Sequence, residues 1–363
     1  MPEIHAARRA RAQAKLAELE ADAALITAGP NVRYLTGLAS SNAALLLAAD
    51  GTGLLATDSR YELAALRDAP DLELTVGRFI EPILAAAARR RGLRQLAVET
   101  HDLTVDRYEQ LVAAAGDGSL VSFLNQVEEL RVVKDPSELE LLGTACRITN
   151  QAFADVLPLI RPGLSERALA AALDHRMAEL GAERPSFDTI VASGPNGALP
   201  HHVPSGRPMR RGDLITMDFG AQFAGYHADM TRTVALGEPA DWQRDVYELV
   251  AAAQRAGCTA ARPGAALREV DAAARDLIAE AGHSDHFGHG LGHGVGLEVH
   301  EAPMIGYGST GKLDHQVAVT VEPGVYLPGQ GGVRIEDVLV VGAGAAGGQA
   351  QILTTTTKEL LAL

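Results

Sequence analysis

Acidic residues inside apolar strand-like runs restrict the fold of this chain more than any other feature. In LITMDFGAQFAGYHADMTRTVAL, residues 214–236, Asp218 and Asp229 stand in apolar runs on either side of a turn segment. A turn centred at Phe223–Ala224 predicts an antiparallel hairpin that places Asp218 directly opposite Asp229. Two like charges that face each other destabilise a sheet, unless a cation binds between them.

A second segment repeats this pattern. In VAVTVEPGVYLPGQGGVRIEDVLVV, residues 317–341, the PGQGG cluster predicts a turn, and Glu322 and Glu336 lie equally far from Gly329. Solvated strand faces would explain one such pair. These strands are too apolar to face water, and burying four carboxylates without a cation would be prohibitively costly. The two hairpins together therefore predict a metal site.

The glycine-rich stretch FGHGLGHGVGLEVHEAP, residues 287–303, can supply a nitrogen ligand. His293 is flanked by glycines, which let a backbone approach a ligand closely. One imidazole and four carboxylates suit Mn²⁺, with Co²⁺ or Zn²⁺ as alternatives. Two divalent metal ions balance the charge of four carboxylates, and two adjacent ions can hold a bridging hydroxide and polarise a carbonyl. We therefore predict two ions.

Composition excludes several classes of partner. The formal net charge of −14, with no basic domain, argues against nucleic acid or an anionic membrane as a partner. The two cysteines are too few for a disulfide framework or a thiolate zinc site. The N-terminal segment has no signal-type apolar run, and no apolar run is long enough to span a bilayer. We predict an acidic, soluble, cytoplasmic protein.

A length of 363 residues suggests two domains. In residues 1–130, short apolar runs alternate with Ala-rich amphipathic segments, which predicts a smaller α/β domain without catalytic residues. A second domain, 135–363, begins at a break where Asp135 is a candidate N-cap and Pro136 occupies the first helical position. Its helices are predicted at 136–155, 165–181, 241–257 and 265–281, and its strands at 187–193, 213–220, 227–236, 316–323 and 332–341. The whole chain is predicted to be α+β.

The order of these acidic residues and of His293, with the motifs MDFGAQFAGYHADMTRT, GHGLGHGVGLEVHE, VTVEPGVY and GGVRIED, resembles the pita-bread metallopeptidases. The resemblance is to the Xaa-Pro branch, which contains aminopeptidase P and prolidase. It covers 135–363, and residues 1–125 are similar to the creatinase-like N-terminal domain of that family. It implies a C-terminal pita-bread fold, proline-containing peptides as substrates, cleavage of the N-terminal Xaa-Pro bond, and a homodimer.

The resemblance also implies roles for the five metal-binding positions. Asp229 and Glu336 would bridge the two metal ions. Asp218 would complete the coordination of one ion, and His293 and Glu322 that of the other. Glu322 would also act as the general base that orients the attacking water.

Four further residues match positions of the family site. His201, His289 and His300 correspond to substrate-contacting and proton-handling histidines. Arg334 corresponds to a site arginine that could hold a carboxylate by a forked contact.

Four neighbouring residues are expected to have either no role in the site or only a supporting one. We expect His202 to be a solvated loop residue without a catalytic role. His227 could support the site or simply pack across the strands. Glu301 and Asp337 adjoin motif residues and could orient them by hydrogen bonds.

Three rivals fit less well. A pita-bread protein that binds a partner without catalysis would be expected to lack some of the metal-ligand residues, and so would the metal-free creatinases. All five of these residues are present here. Methionine aminopeptidases typically lack the N-terminal domain and the HHVPSG segment.

Prolidases commonly have the sequence His-Glu-x-Pro-Arg, in which the arginine binds the substrate carboxylate, whereas this chain has Met304 in place of that arginine. We therefore expect an exopeptidase like aminopeptidase P, with an Xaa-Pro dipeptidase as the alternative.

Overall fold

The computed structural model describes residues 2–344 and 348–363, and these form a mixed helical and sheet structure, as predicted. The helices are α1 (Pro2–Glu18), α2 (Gly29–Thr36), α3 (Glu62–Asp68), α4 (Ile80–Arg90), α5 (Val105–Ala115), α6 (Gln126–Val132), α7 (Pro136–Val156), α8 (Glu166–Glu179), α9 (Asp241–Ala260) and α10 (Leu267–Glu280). Within these ranges, no helix combines the length and the apolar character needed to cross a membrane.

The first strands are β1 (Ala23–Ile26), β2 (Ala43–Ala48), β3 (Gly53–Thr57), β4 (Glu73–Val76), β5 (Gln95–Val98), β6 (Ser119–Ser122), β7 (Arg184–Pro185), β8 (Ile190–Ser193), β9 (Leu214–Phe219) and β10 (Ala221–Phe223). The others are β11 (Tyr226–His227), β12 (Met230–Ala235), β13 (Gly292–Gly294), β14 (Glu301–Ile305), β15 (Ala318–Val321), β16 (Gly324–Leu327), β17 (Gly331–Arg334), β18 (Asp337–Val340) and β19 (Gln351–Ile352). The chain divides into two compact units, one ending at Arg131 and one running from Val132 to Leu363.

The first unit is built on a mixed six-stranded sheet in the order β4-β3-β2-β1-β5-β6. Strands β1 and β2 are antiparallel, whereas β1–β5 and β5–β6 are parallel. Fully buried Leu25, Leu46 and Val98 of the sheet pack with Leu84 of α4 and Leu111 of α5. This is the smaller α/β arrangement expected for the N-terminal domain.

The first unit also buries a carboxyl group, that of Glu99. Its Oε2 accepts hydrogen bonds from the amides of Thr27 (2.6 Å) and Ala28 (2.7 Å). The amide group of Asn31 donates to both Glu99 (2.6 Å) and Glu128 (2.6 Å), so it links two acidic side chains. Burial, opposed only in part by these hydrogen bonds, raises the pKa of Glu99 to about 7.

We expect this raised pKa to make the first unit less stable as the pH rises. Between about pH 4.5 and 7, the folded state binds a proton that the unfolded state releases, so stability is lost through this window, by on the order of 3 kcal/mol. Glu99→Gln should flatten the dependence. Urea unfolding followed by hydrogen exchange of β1 amides measures it, and a wild-type profile that is already flat would contradict the prediction.

In the second unit, paired helices twice precede a group of strands, as the sequence pattern indicated. Helices α7 and α8 pack together and are followed by the sheet β12-β9-β8; α9 and α10 pack together and are followed by the sheet β14-β13-β15-β18-β19. The predicted start of α7 is confirmed: Asp135 accepts from the backbone of Ser137 and Glu138, and Pro136 follows it.

The predicted register of the first hairpin is wrong, because the turn lies one residue later in the chain than expected. Asp218 pairs with Thr231, not with Asp229. The reason is the turn, in which Ala224 (φ 47°) and Gly225 (φ 84°) form a two-residue connection displaced from the expected centre. Since Asp229 and Thr231 are two residues apart, both point to one face, and Asp218 and Asp229 remain diagonal neighbours.

The predicted register of the second hairpin is confirmed. Gly324 pairs with Arg334 on one side of the acidic residues, and Val321 pairs with Asp337 on the other. Glu322 and Glu336 therefore lie opposite each other between two ladders of the same register.

Candidate active site

One cavity in the second unit, with a volume of about 1080 Å³, collects the predicted ligand residues. Its lining includes Asp218, Asp229, His293, Glu322 and Glu336. The structure thus brings together side chains that are widely separated along the chain.

Residues within strands or next to them bring the five side chains together. Asp218 lies within β9, the central strand of its sheet, and Asp229 immediately precedes β12. His293 is the middle residue of β13. Glu322 follows β15 and Glu336 precedes β18, at the place where the two ladders of the second hairpin are interrupted.

The acidic and imidazole groups lie within a few ångströms of each other. His293 Nε2 is 3.3 Å from Glu322 Oε1 and 3.6 Å from Asp229 Oδ2. One potential ligand atom from each of Asp229, His293 and Glu336 lies within 4.8 Å of the others. Because His293 Nδ1 donates to the carbonyl of Gly294 (3.0 Å), its Nε2 faces the acidic groups.

The pKa shifts of these side chains show that the carboxylates repel one another when no cation is bound. Burial raises the pKa of Asp229, and the charges of Glu336, Asp218 and Glu322 raise it further. Burial also raises the pKa of Glu336, as do the neighbouring Glu322 and Asp218. For Glu322, burial is outweighed by the hydrogen bond and charge of His293, and its pKa is lowered. For His293, burial is outweighed by Glu322, and its pKa is raised.

The donor set fits a divalent cation. Among the described residues, nothing donates a hydrogen bond to the buried Oδ1 of Asp218. An unsatisfied buried acceptor costs about 1–3 kcal/mol. A bound cation would supply the missing partner and lower the repulsion among the carboxylates, and carboxylate with imidazole is a ligand mixture that suits such ions.

Arg334 is buried and holds one of the predicted ligands, Asp218, in place. Its Nη2 donates to Asp218 Oδ2 (2.7 Å), its Nε to Thr231 Oγ1 (3.0 Å), and its Nη1 to Tyr326 Oη (3.0 Å). The forked contact expected from the sequence is replaced by one hydrogen bond to Asp218, because the other donors bind Thr231 and Tyr326.

The three predicted site histidines line the same cavity. His289 Nδ1 donates to the carbonyl of Gly290 (2.8 Å), so its Nε2 accepts from the hydroxyl of Tyr326 (2.8 Å). The ring of His300 lies edge-on to that of His293, with centroids 4.3 Å apart. Burial lowers the pKa of both His289 and His300. His201 is exposed.

Sequence reasoning missed Tyr326. Its buried hydroxyl connects Arg334 to His289, and burial raises its pKa to about 12. A signal for it exists in the hairpin register. Gly324 is opposite Arg334, so Tyr326, two residues further along the strand, lies on the same face as that arginine.

An ion pair on α10, Asp271–Arg275, supports the glycine-rich stretch and was not predicted from the sequence. Arg275 of α10 donates to the carbonyls of His289 (2.6 Å) and Phe287 (3.0 Å). Asp271, one turn earlier on the helix, binds Arg275 and accepts from the amide of Leu291 (3.1 Å). The acid–arginine spacing of four residues was visible in the sequence, but its loop partners were not.

The two neighbouring histidines, His202 and His227, both make hydrogen-bond contacts within the protein. His202 is half-buried and donates to Glu166 Oε2 (2.9 Å), so the expectation of a solvated side chain is wrong. His227 contacts the carbonyl of Gly296 (3.1 Å) and the side chain of Gln222 (2.9 Å), which favours the packing alternative.

Two acidic neighbours make buried ion pairs. Lys134 donates to Glu301 (2.7 Å). Arg232 donates to Asp337 (2.7 Å) and also to the backbone carbonyl of Glu336. Arg232 therefore connects Asp337 to the backbone of Glu336, a predicted ligand.

Comparisons with known proteins agree with this geometry. A peptidase of Bacillus subtilis (strain 168), the uncharacterized peptidase YqhT, is 39% identical over 347 residues, which are 95% of this chain and 97% of the relative. The structure of an Xaa-Pro dipeptidase from Bacillus anthracis superimposes with a TM-score of 0.94 at 37% identity, covering 99% of this chain and 100% of that one. An X-Pro aminopeptidase from Thermotoga maritima MSB8 gives a TM-score of 0.88 at 36% identity, covering 96% and 100%.

Both units also match known families separately. Residues 8–133 match the creatinase/prolidase N-terminal domain, and residues 140–343 match metallopeptidase family M24. The expected fold, a creatinase-like N-terminal domain followed by a pita-bread domain, is confirmed. Since the match covers more than half of the chain and the relatives align along nearly their whole length, this chain is a peptidase that belongs to metallopeptidase family M24.

Proposed function

We propose that this chain is a metal-dependent exopeptidase that hydrolyses the Xaa-Pro bond at the N-terminus of peptides. The observation that carries the proposal is the meeting of four carboxylates and one imidazole in a cavity whose wall holds four further histidines. The names of the structural relatives, an Xaa-Pro dipeptidase and an X-Pro aminopeptidase, support this substrate class.

In the proposed site, Asp218, Asp229, His293, Glu322 and Glu336 would hold two divalent metal ions. Asp229 and Glu336 would be shared by both ions, Asp218 would complete the ligands of one, and His293 and Glu322 those of the other. The close approach of Asp229, His293 and Glu336 supports this assignment. When bound, such ions polarise the scissile carbonyl and lower the pKa of a water. We propose Mn²⁺, with Co²⁺ or Zn²⁺ as alternatives, because oxygen ligands predominate.

The chain's own residues then bind and move protons. Glu322, whose pKa is lowered chiefly because His293 outweighs its burial, is ionised and can accept a proton from the attacking water. His300 stands next to His293, where a neutral imidazole can donate to the substrate carbonyl. His201 lines the cavity and is exposed, so it can contact the peptide. His289 is positioned by Tyr326.

Substrate length depends on where a dipeptide would place its carboxylate. Among the described residues that line the cavity, Arg334 is the one arginine or lysine, and it is already bound to Asp218. Met304 is 53% exposed and lies directly across the strand pair from His293. A peptide longer than a dipeptide places a neutral amide there and avoids burying an unpaired charge. We therefore favour an aminopeptidase that prefers longer peptides.

An Xaa-Pro dipeptidase is the second candidate. It is favoured by the likeness to the Bacillus anthracis enzyme, which covers nearly the whole of both chains. Arg334 could also turn toward a substrate carboxylate if a cation took over its contact with Asp218.

Met304→Arg is expected to shift the ratio of kcat/KM toward dipeptides by about tenfold or more, because an arginine can bind a carboxylate with two charge-assisted hydrogen bonds. The measurement compares one Xaa-Pro dipeptide with the matched Xaa-Pro-Xaa tripeptide, with Mn²⁺ present. Met304→Gln, which adds no charge, is the control. A wild-type enzyme that cleaves the dipeptide and ignores the tripeptide would make the second candidate correct.

The remaining parts of the proposal rest on the sequence. We propose a homodimer, domains at 1–130 and 135–363, and a cytoplasmic location. The low cysteine count supports the last of these. Size-exclusion chromatography with light scattering would test the dimer.

A further inference from the structure

Glu166, in the first turn of α8, gathers six hydrogen bonds on one fully buried carboxylate. Its Oε1 accepts from the amide and the hydroxyl of Ser193, both at 2.8 Å, and from Asn196 Nδ2 (2.9 Å). Its Oε2 accepts from His202 Nε2 (2.9 Å) and from the amide (3.1 Å) and hydroxyl (2.6 Å) of Ser205. Every donor comes from a single segment, residues 193–205, which we name the His201 loop.

The two oxygens of Glu166 hold opposite ends of this loop. Oε1 binds the side that leaves β8, and Oε2 binds the side that returns after His201. The loop's middle lies against β17, where the backbones of Gly197 and Gly332 approach so closely that a Cβ on Gly332 would meet Gly197 O at 2.2 Å. The position of His201 is thus determined from two sides.

A direct link joins the loop to the proposed ligands. Arg334 Nη1 donates to the carbonyl of Pro200 (3.4 Å), and Nη2 of the same arginine donates to Asp218. Pro200 immediately precedes His201, and both line the cavity. A small movement of the loop would therefore change the distance between His201 and the ligand group.

The surroundings keep Glu166 charged. Burial alone would raise the pKa of Glu166, but its hydrogen bonds from Ser205, His202, Asn196 and Ser193 lower it to about 2. A buried charge is costly unless hydrogen bonds compensate it, and the six donors of the His201 loop do so here.

We propose that Glu166 is a positioning residue for peptide hydrolysis, and that, with His202 as one of its donors, it fixes His201 at the wall of the active site. This inference rests on the proposed function. Glu166 is fully buried and acts through His201, whereas His202 donates to Glu166 and also lines the cavity.

The test uses the full-length protein with added Mn²⁺ and an Xaa-Pro-Xaa peptide. Glu166→Gln should lower kcat by about ten- to a hundredfold with KM changed less than about threefold, since small misplacements of a site group cost this much. His202→Leu should act in the same direction but less strongly. His202→Gln should recover most of the loss, because its amide can still donate to Glu166. Bound metal should stay at the wild-type level.

A double-mutant cycle separates positioning from general damage. In the His201→Ala background, Glu166→Gln should lower kcat by less than about twofold, because the group through which it acts is already absent. Hydrogen–deuterium exchange of residues 193–205 should be faster in Glu166→Gln than in wild type. If Glu166→Gln does not fold, Ser205→Ala, which removes a donor to Glu166 without altering a residue of the cavity wall, takes its place in the cycle.

Each result decides something different. A full, multiplicative loss in the His201→Ala background, or unchanged exchange in the His201 loop, would overturn the positioning role. A wild-type enzyme that cleaves no Xaa-Pro peptide would refute the proposed function, and exchange alone would then decide whether Glu166 holds the loop.

Discussion

Asp229→Asn is expected to reduce peptide hydrolysis by more than about a thousandfold, equivalent to about 4 kcal/mol of transition-state stabilisation. Asp229 is buried and lies within reach of both His293 and Glu336, so in the proposed site its carboxylate is shared by both ions. Asparagine keeps the shape but removes the charge and one anionic ligand atom. The measurement is kcat/KM together with metal bound per chain.

Although Asp229→Asn lowers activity, it should make the metal-free protein more stable. Because burial and neighbouring acids raise the pKa of Asp229, its ionised form is unfavourable in the metal-free protein near neutral pH. We therefore expect metal-free Asp229→Asn to melt at a higher temperature than metal-free wild type. Asp276→Asn, at an exposed position on α10, is the matched control. An Asp229→Asn enzyme with full activity after metal removal and Mn²⁺ addition would be incompatible with a bridging role.

His300→Ala is expected to lower kcat by roughly ten- to ten-thousand-fold, the range of a lost acid–base or oxyanion group. The imidazole lies beside His293 and lines the cavity, and burial, then the charge of His293, lower its pKa. Metal content should remain near the wild-type value, since His300 is not a proposed ligand.

His175→Ala is a suitable control, because that side chain is 76% exposed and pairs with Glu179 on α8. Parallel His201→Ala and His289→Ala variants should also lower kcat without loss of metal. Loss of an ion from His300→Ala would instead identify this histidine as a ligand.

Residue patterns predicted well which acidic side chains lie together, because a shift of the pairing by two residues does not change the face that a side chain occupies. Asp218 and Asp229 are not directly opposite, yet the turn shift moves the pairing by two residues and leaves both on one face. For Glu322 and Glu336, the pairs on either side have the predicted register. The locations of these acids therefore followed from strand periodicity and turn chemistry alone.

Partners of buried polar groups were beyond that kind of reasoning. Periodicity shows which face a side chain occupies, but not which distant segment packs against it. Glu166 sits on a helix that precedes the His201 loop, and nothing local indicates that six donors converge on it. The burial of His202 and the contact of Tyr326 with His289 likewise depend on tertiary packing.

The central claim is a two-ion site that hydrolyses an Xaa-Pro bond, and titration of the metal-free enzyme with Mn²⁺ tests it most directly. Bound metal per chain and the rate of Xaa-Pro-Xaa cleavage are measured at each addition. We predict no activity in the metal-free enzyme, and a rate that reaches its maximum as two ions are bound per chain. Full activity in the metal-free enzyme, or saturation of both quantities at one ion per chain, would contradict the account.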